Sequence, residues 1–377
     1  MDFSLTTEQQ LLKDSVERFV EEDYDFRTRR EIAASDEGFR RENWARFAEL
    51  GWLGAALPES CGGSGGGPVE TMVIMEAFGR GLVTEPYLSS VVLGGGLVAR
   101  HGSAAQREAV LPALVEGETM LAFAYAEPRS RYDLAHVATR AAREDGGYRL
   151  DGRKAVVFGA ASADRIVVSA RTAGGERDGA GITLFLVDAT APGLARRDYR
   201  TVDGLRASEV MLDGVRVAAD AVLGEPDGAL PVIEEAIDHG IAAVAAEAVG
   251  AMQVLNDTTN EYLKTRRQFG RPIGDFQVLK HRMVDMLTRY EEARSMCCMV
   301  TLKLGETPAE RAKAASAAKV QIGRSGRFIG QQAVQLHGGI GITDELHVGH
   351  YFKRLTMIDT LFGNVDHHLR RFASLAC

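Results

Sequence analysis

Between residues 119 and 226 the chain lays down one strand signature after another, with no helical segment between them. No other feature constrains the fold as much. "YRLDGRKAVV" reads as a hairpin with Asp151-Gly152 as its two-residue turn. "SEVMLDGVRV" repeats the pattern with a turn at Asp213-Gly214, and "RIVVSART" and "GITLFLVD" are short β-rich runs. A doubly wound parallel sheet needs a helix after each strand, which argues against that architecture here. Residues 119–226 are expected to form a compact β-barrel or sandwich.

Helical periodicity holds on both sides of this segment. Residues 1–118 read as an N-terminal α-helical domain. Thr6 or Thr7 can cap its first helix, with Gln9 or Gln10 three residues on, and Leu12, Val16, Phe19 and Val20 form the apolar stripe. "GFRRENWARFAELGWLG", "ETMVIMEAFGRGL" and "SAAQREAVLPALVEG" continue the pattern. Residues 227–377 read as a C-terminal four-helix bundle, with helices near 228–264, 275–304, 308–336 and 344–372. The fold class is therefore α+β and multidomain: helical, then β, then bundle.

The charge balance narrows the function. With 44 basic and 52 acidic residues the net charge is −8, and no basic patch interleaved with aromatics suggests nucleic acid. No apolar run reaches the length of a membrane-spanning helix, and the first residues lack a signal peptide's pattern. Cys61, Cys297, Cys298 and Cys377 form no CxxC and read as reduced thiols of a cytoplasmic protein.

Three short motifs carry weak signals. "CGGSGGG" (61–67) lacks the lysine and Ser/Thr of a phosphate loop and reads as a flexible loop. His347 and His350 lack a third ligand with suitable spacing, so no metal is expected. His367-His368 reads as a solvated face.

Two motifs in the bundle are specific. In "YLKTRRQFGRPIGDFQVLKHRMVDM" (262–286) a helix carrying Arg266 and Arg267 ends near Phe269-Gly270, turns through Pro-Ile-Gly, and restarts near Asp275. Arginines beside such a junction can hold a pyrophosphate through forked hydrogen bonds. "QLHGGIG" (335–341) is a second loop that lets backbone approach a ligand closely.

On these motifs, with "PESCGG" and the helix–β–helix order, the chain resembles the acyl-CoA dehydrogenase family over nearly its whole length. Its look is that of the small subunit of a pimeloyl-CoA-type dehydrogenase, which works beside a larger, different subunit. The resemblance implies FAD as cofactor, an acyl-CoA substrate and an electron-transfer flavoprotein as electron acceptor. It also implies assembly with a larger homologous subunit or as a homo-oligomer. In that family the bundle motifs grip the ADP half of the FAD whose flavin ring lies in the neighbouring subunit. Carried over, Arg266, Gln268, Phe269 and Gln277 meet that FAD, and Gln335, Leu336, His337, Gly338 and Gly339 close over its pyrophosphate and adenosine.

The flavin-facing half departs from the family pattern. "FAYAEPRSRYD" (123–133) has Ala126 for the usual threonine and Tyr132 for the usual serine. Val156 and Phe158 replace the tryptophan and threonine of the family's second flavin-facing segment. The two positions where the family places its base hold Phe362 and Gly240, and Ile241 follows where arginine is frequent.

A carboxylate must come from elsewhere. "GIAAVAAEAVGAM" (240–252) is non-polar except for Glu247, nearly two helical turns beyond Gly240 and on the same face. The expectation is a desolvated Glu247 acting as catalytic base, with its small neighbours leaving room for an acyl chain. Against it stands a structural ion pair between helices, with Asp366 as a further candidate. Two functions follow. The first is a dehydrogenase subunit that forms a trans-2-enoyl-CoA. The alternative is a non-catalytic scaffold that completes the partner's FAD site. An oxidase relative is weaker. Arg129 and Arg131 are candidates to meet a dicarboxyl substrate.

Overall fold

The computed structural model describes residues 4–375. Helices α1 (Thr7–Glu22), α2 (Phe26–Ala34), α3 (Arg41–Glu49) and α4 (Pro68–Gly81) open the chain. A π-helix (Leu88–Gly95), α5 (Gly96–His101) and α6 (Ala104–Val115) follow. Eight strands come next: β1 (Leu121–Ala124), β2 (Arg140–Glu144), β3 (Gly147–Phe158), β4 (Arg165–Arg171), β5 (Ile182–Asp188), β6 (Leu194–Arg200), β7 (Arg206–Ala218) and β8 (Val222–Leu223). Then come α7 (Leu230–Thr265), a hairpin of β9 (Arg267–Gln268) and β10 (Arg271–Pro272), α8 (Gln277–Lys303), α9 (Pro308–His337), α10 (Val348–Thr360) and α11 (Val365–Leu375). The helical, β and helical parts are all present. By packing, the described residues form two compact units: residues 32–67 with 84–240, and residues 4–31 with 68–83 and 241–375.

The first unit is built on one sheet, ordered β6-β7-β3-β2-β4-β5-β8, with β1 parallel to β4. Leu150, Val157, Ile166, Val168, Phe185, Val187, Val210 and Val215 fill its core. The hairpin expectation is corrected here. Asp151-Gly152 and Asp213-Gly214 are not turns, because β3 and β7 run straight through them and pair with each other. The two sites face each other at one bulge, where Asp151 Oδ1 accepts from Gly214 N at 2.8 Å and Gly214 takes φ +65°. The tight turn lies six residues earlier, at Asp145-Gly146, where Gly146 has φ +82° and Glu144 pairs with Gly147.

The glycine run after Cys61 is a folded turn. The amides of Gly63, Ser64, Gly65 and Gly66 donate to Pro58, Gly54, Leu57 and Ala55 carbonyls, which leaves none of these four for a phosphate. A Cβ on Gly63 would sit 2.2 Å from Leu57 O.

The second unit is helical. Thr6 caps α1 in a full capping box with Gln9, as its sequence predicts. At its centre α9 packs against α8, α10 and α11, and its buried face carries Ala315, Ala318, Gly323, Gly326 and Gly330. The segment read as one helix over 344–372 is two, because Phe362 (φ +59°) and Gly363 (φ +114°) turn the chain between α10 and α11. His368, read as solvated, is fully buried. Its Nδ1 lies 3.3 Å from Ser316 Oγ and its Nε2 3.0 Å from Phe362 O. Among the described residues no helix is long and apolar enough to cross a membrane.

Candidate functional site

Glu247 sits midway along α7 in a run, Ile241–Gly250, that is buried throughout. Both of its carboxylate oxygens are hydrogen-bonded. Arg354 on α10 donates from Nε to Oε1 and from Nη2 to Oε2, both at 2.6 Å, and each residue is 5% exposed. A fork-on-carboxylate pair of this kind is strong and geometrically exclusive. Glu247 is desolvated as its place in the sequence suggests, and it is paired with a cation of another helix.

Arg354 escaped the sequence reading, yet a signal existed. It lies on the stripe Tyr351, Arg354, Leu355, Ile358, all buried, so an arginine interrupts the apolar face of α10 as Glu247 interrupts that of α7. Two opposite charges embedded in two apolar stripes are the pattern of a buried pair.

The room expected for an acyl chain beside Glu247 is also corrected. A Cβ on Gly79 of α4 would lie 2.0 Å from Glu247 O, and one on Gly250 would lie 1.9 Å from Glu76 O. The small residues let α4 and α7 touch backbone to backbone. A cavity of about 110 Å³ in this unit is lined by Met72, Val73, Glu76, Val249 and Cys298, and Glu247 is not in its wall.

The two bundle motifs meet. Tyr262, one turn before Arg266, stacks on His337 with ring centroids 4.4 Å apart, and its hydroxyl donates to His337 O. Arg266, Gln268, Gln277 and Gln335 are all exposed, and Phe269 is 90% exposed at φ +52°. Arg271 lies 4.2 Å over the Phe276 ring and buttresses the hairpin. Gly338 (φ +68°) and Gly339 are open, with nothing within 4 Å of an added Cβ. Cationic and amide donors, an unshielded aromatic ring and bare glycine backbone suit a nucleotide diphosphate. Leu336 and His337 behave differently: their side chains are buried, and burial pushes the His337 pKa down. They can offer a ligand only backbone.

In the sheet unit, the segment after β1 is nailed down by Glu127. Its carboxylate accepts from Ala138 N, Thr139 N and the buried Lys154 Nζ, the last at 2.6 Å, and Lys154 also donates to Ser169. Burial lowers the Lys154 pKa to about 8 despite the carboxylate. Ala126 and Val156 lie together here, since Ala155 N donates to Ala126 O. Val156 is half-exposed in the left-handed region at a bulge of β3. Neither residue has a polar side-chain atom. Arg129 and Arg131 are both exposed, which does not suit a cation deep in a pocket.

His347 and His350 are committed to Thr258 and Arg29, and no group of three or more His, Cys, Asp or Glu among the described residues could hold a metal. Asp366 is exposed.

Residues 6–118, 122–215 and 228–374 match the N-terminal, middle and C-terminal domains of acyl-CoA dehydrogenases. The chain belongs to the acyl-CoA dehydrogenase family, flavin-dependent oxidoreductases that act on acyl-CoA with FAD as cofactor. It is 31% identical to the probable acyl-CoA dehydrogenase YngJ of Bacillus subtilis, over 92% of each chain. It is 32% identical to CarC, a subunit of the caffeyl-CoA reductase-Etf complex of Acetobacterium woodii, over 86% of each. Among solved structures, a chain of the ChsE4-ChsE5 complex from Mycobacterium tuberculosis superposes with a TM-score of 0.90 at 29% identity, covering 99% of this chain and 98% of that one.

Proposed function

We propose that this chain is one subunit of an FAD-dependent assembly that introduces a trans-2,3 double bond into an acyl-CoA. Its part is to grip the ADP half of the cofactor, while a homologous, larger subunit supplies the base. FAD, when bound, supplies the hydride acceptor. Arg266 and the amides of Gln268, Gln277 and Gln335 would hold the diphosphate and sugar. Phe269 would offer its exposed ring to the cofactor, and Gly338-Gly339 would let bare backbone approach it.

The capture of Glu247 by Arg354 carries this reading. With Gly240 and Phe362 at the family's two base positions, Glu247 was the leading candidate ahead of Asp366, and a base must be free to take a proton. The missing side-chain donors at Ala126 and Val156 support the same division of labour. The similarity to a chain of a two-protein complex supports a partner, and that to an Etf-complex subunit supports an electron-transfer flavoprotein as acceptor.

The test is Glu247→Gln in the assembled complex. Turnover per bound flavin is expected to stay within a few-fold of wild type. A base residue would lose about 10²–10⁴-fold, and a loss of that size with flavin still bound would assign the base to Glu247. The chain alone should be colourless after purification with FAD and become yellow with its partner.

A further inference from the structure

The turn that the proposed function assigns to the cofactor is followed by segment 343–347, which leads into α10. This segment is tied down by His350, in the first turn of α10. His350 Nδ1 lies 3.1 Å from Nη1 of Arg29, and its Nε2 lies 3.3 Å from the carbonyl oxygen of Asp344. A guanidinium can only donate and a carbonyl can only accept. The ring must therefore accept at Nδ1 and donate at Nε2, which only one neutral tautomer can do.

We propose that His350 is a positioning residue for the cofactor-gripping turn, holding residues 338–347 in place only while its imidazole is neutral. This rests on the assignment of that turn to FAD. A protonated ring has no acceptor for Arg29 and puts a second cation beside it. Arg29 cannot easily retreat, because it is buried and its Nε reaches the carbonyl of Leu82 on the other side.

The two neighbouring histidines lack this property. His337 Nδ1 faces the carbonyl of Ala333 and so donates, a bond that survives protonation. His347 Nε2 faces the hydroxyl of Thr258, which can either donate or accept. The charged groups around His350 are Arg29 and Arg30 of α2, Lys353 of α10, Asp344 and, one turn back, His347. The Phe26 ring meets it edge-on at 5.0 Å. Only Asp344 favours the charged ring, from 3.8 Å, and it is largely exposed and shared with Lys353. Burial first, and Arg29 second, hold the imidazole's pKa below its ordinary value. The latch is therefore closed at neutral pH and opens on acidification.

The test uses two readouts, the first on the assembled holoprotein and the second on the chain alone. One is the FAD release rate against pH, followed by flavin fluorescence. The other is amide hydrogen exchange over residues 338–347 in the absence of FAD. In the wild type both are expected to accelerate several-fold as the pH falls from about 7 to about 5. Glutamine can accept from Arg29 and donate to Asp344 without titrating. His350→Gln should keep the neutral-pH values and lose the acceleration, while His347→Gln keeps it. Acceleration persisting in folded His350→Gln overturns the proposal. So does a wild-type exchange rate over 338–347 that ignores pH beyond the intrinsic chemical trend, even where His350→Gln fails to fold. If Phe269→Ala and Gly339→Val leave FAD affinity unchanged at neutral pH, the assignment of the turn fails instead, and exchange alone then judges the latch.

Discussion

Arg354 and Glu247 join α10 to α7 by a buried two-pronged ion pair, with both bonds at 2.6 Å. Removing one partner strands the other's charge away from water, at a cost of about 3–5 kcal/mol. Glu247→Ala and Arg354→Leu should each lower the unfolding free energy measured by urea titration by about that much. Glu247→Leu combined with Arg354→Leu should recover most of the loss, because two apolar side chains leave no charge behind. Additive losses in the double variant would show that the pair is not the coupling.

Gly79 and Gly250 sit where α4 and α7 approach backbone to backbone. The added methyl of Gly79→Ala or Gly250→Ala falls within 2.0 Å of a main-chain oxygen, which no side-chain rotation relieves. Each should cost at least about 1–3 kcal/mol. Gly339→Ala meets nothing within 4 Å and should leave the thermal midpoint unchanged. Equal midpoints for all three variants would contradict the packing described.

Lys319 is buried and donates to the carbonyls of Asp359 and Gly363, and burial brings its pKa down to about 7, with Asp359 opposing. An unfolded lysine titrates near 10.4. Between those values the unfolded chain holds a proton that the folded chain lacks. Stability therefore rises with pH across that window, and the cost of charging is borne in full below about 7. Lys319→Met should flatten the slope of unfolding free energy measured from about pH 6 to pH 9. A slope identical to wild type would rule this out.

Phe269 combines 90% exposure with a left-handed backbone. Phe269→Gly should keep or slightly raise stability, since glycine adopts that conformation freely. It should weaken FAD retention about ten-fold or more, the cost of an aromatic ring no longer covered by ligand, about 1.5–3 kcal/mol. Equilibrium dialysis against FAD and a melting curve on the same sample measure both effects. Unchanged retention would count against Phe269 as a cofactor contact.

The helix boundaries were legible because the apolar stripes, the Thr6–Gln9 capping box and the Gly305/Pro308 break act within a few residues. The break at Phe362-Gly363 was not. Its backbone carbonyls are held by His368 and Lys319, residues that are distant in sequence or read as solvated, and no local signal announces them. The Asp-Gly pairs misled for a related reason. Asp-Gly favours a turn locally, but Asp151 finds Gly214 across the sheet, and long-range pairing sets the two sites opposite each other at one bulge.

From the sequence alone came the class of the fold, the helical, β and helical order, the family motifs and the question of why one carboxylate interrupts an apolar helix. These depend on periodicity and on residue types at fixed spacing along the chain. The tertiary structure decided the answer. A charge inside an apolar helix has no local partner, so its role is set by whichever side chain the fold delivers. For Glu247 that is Arg354, 107 residues away.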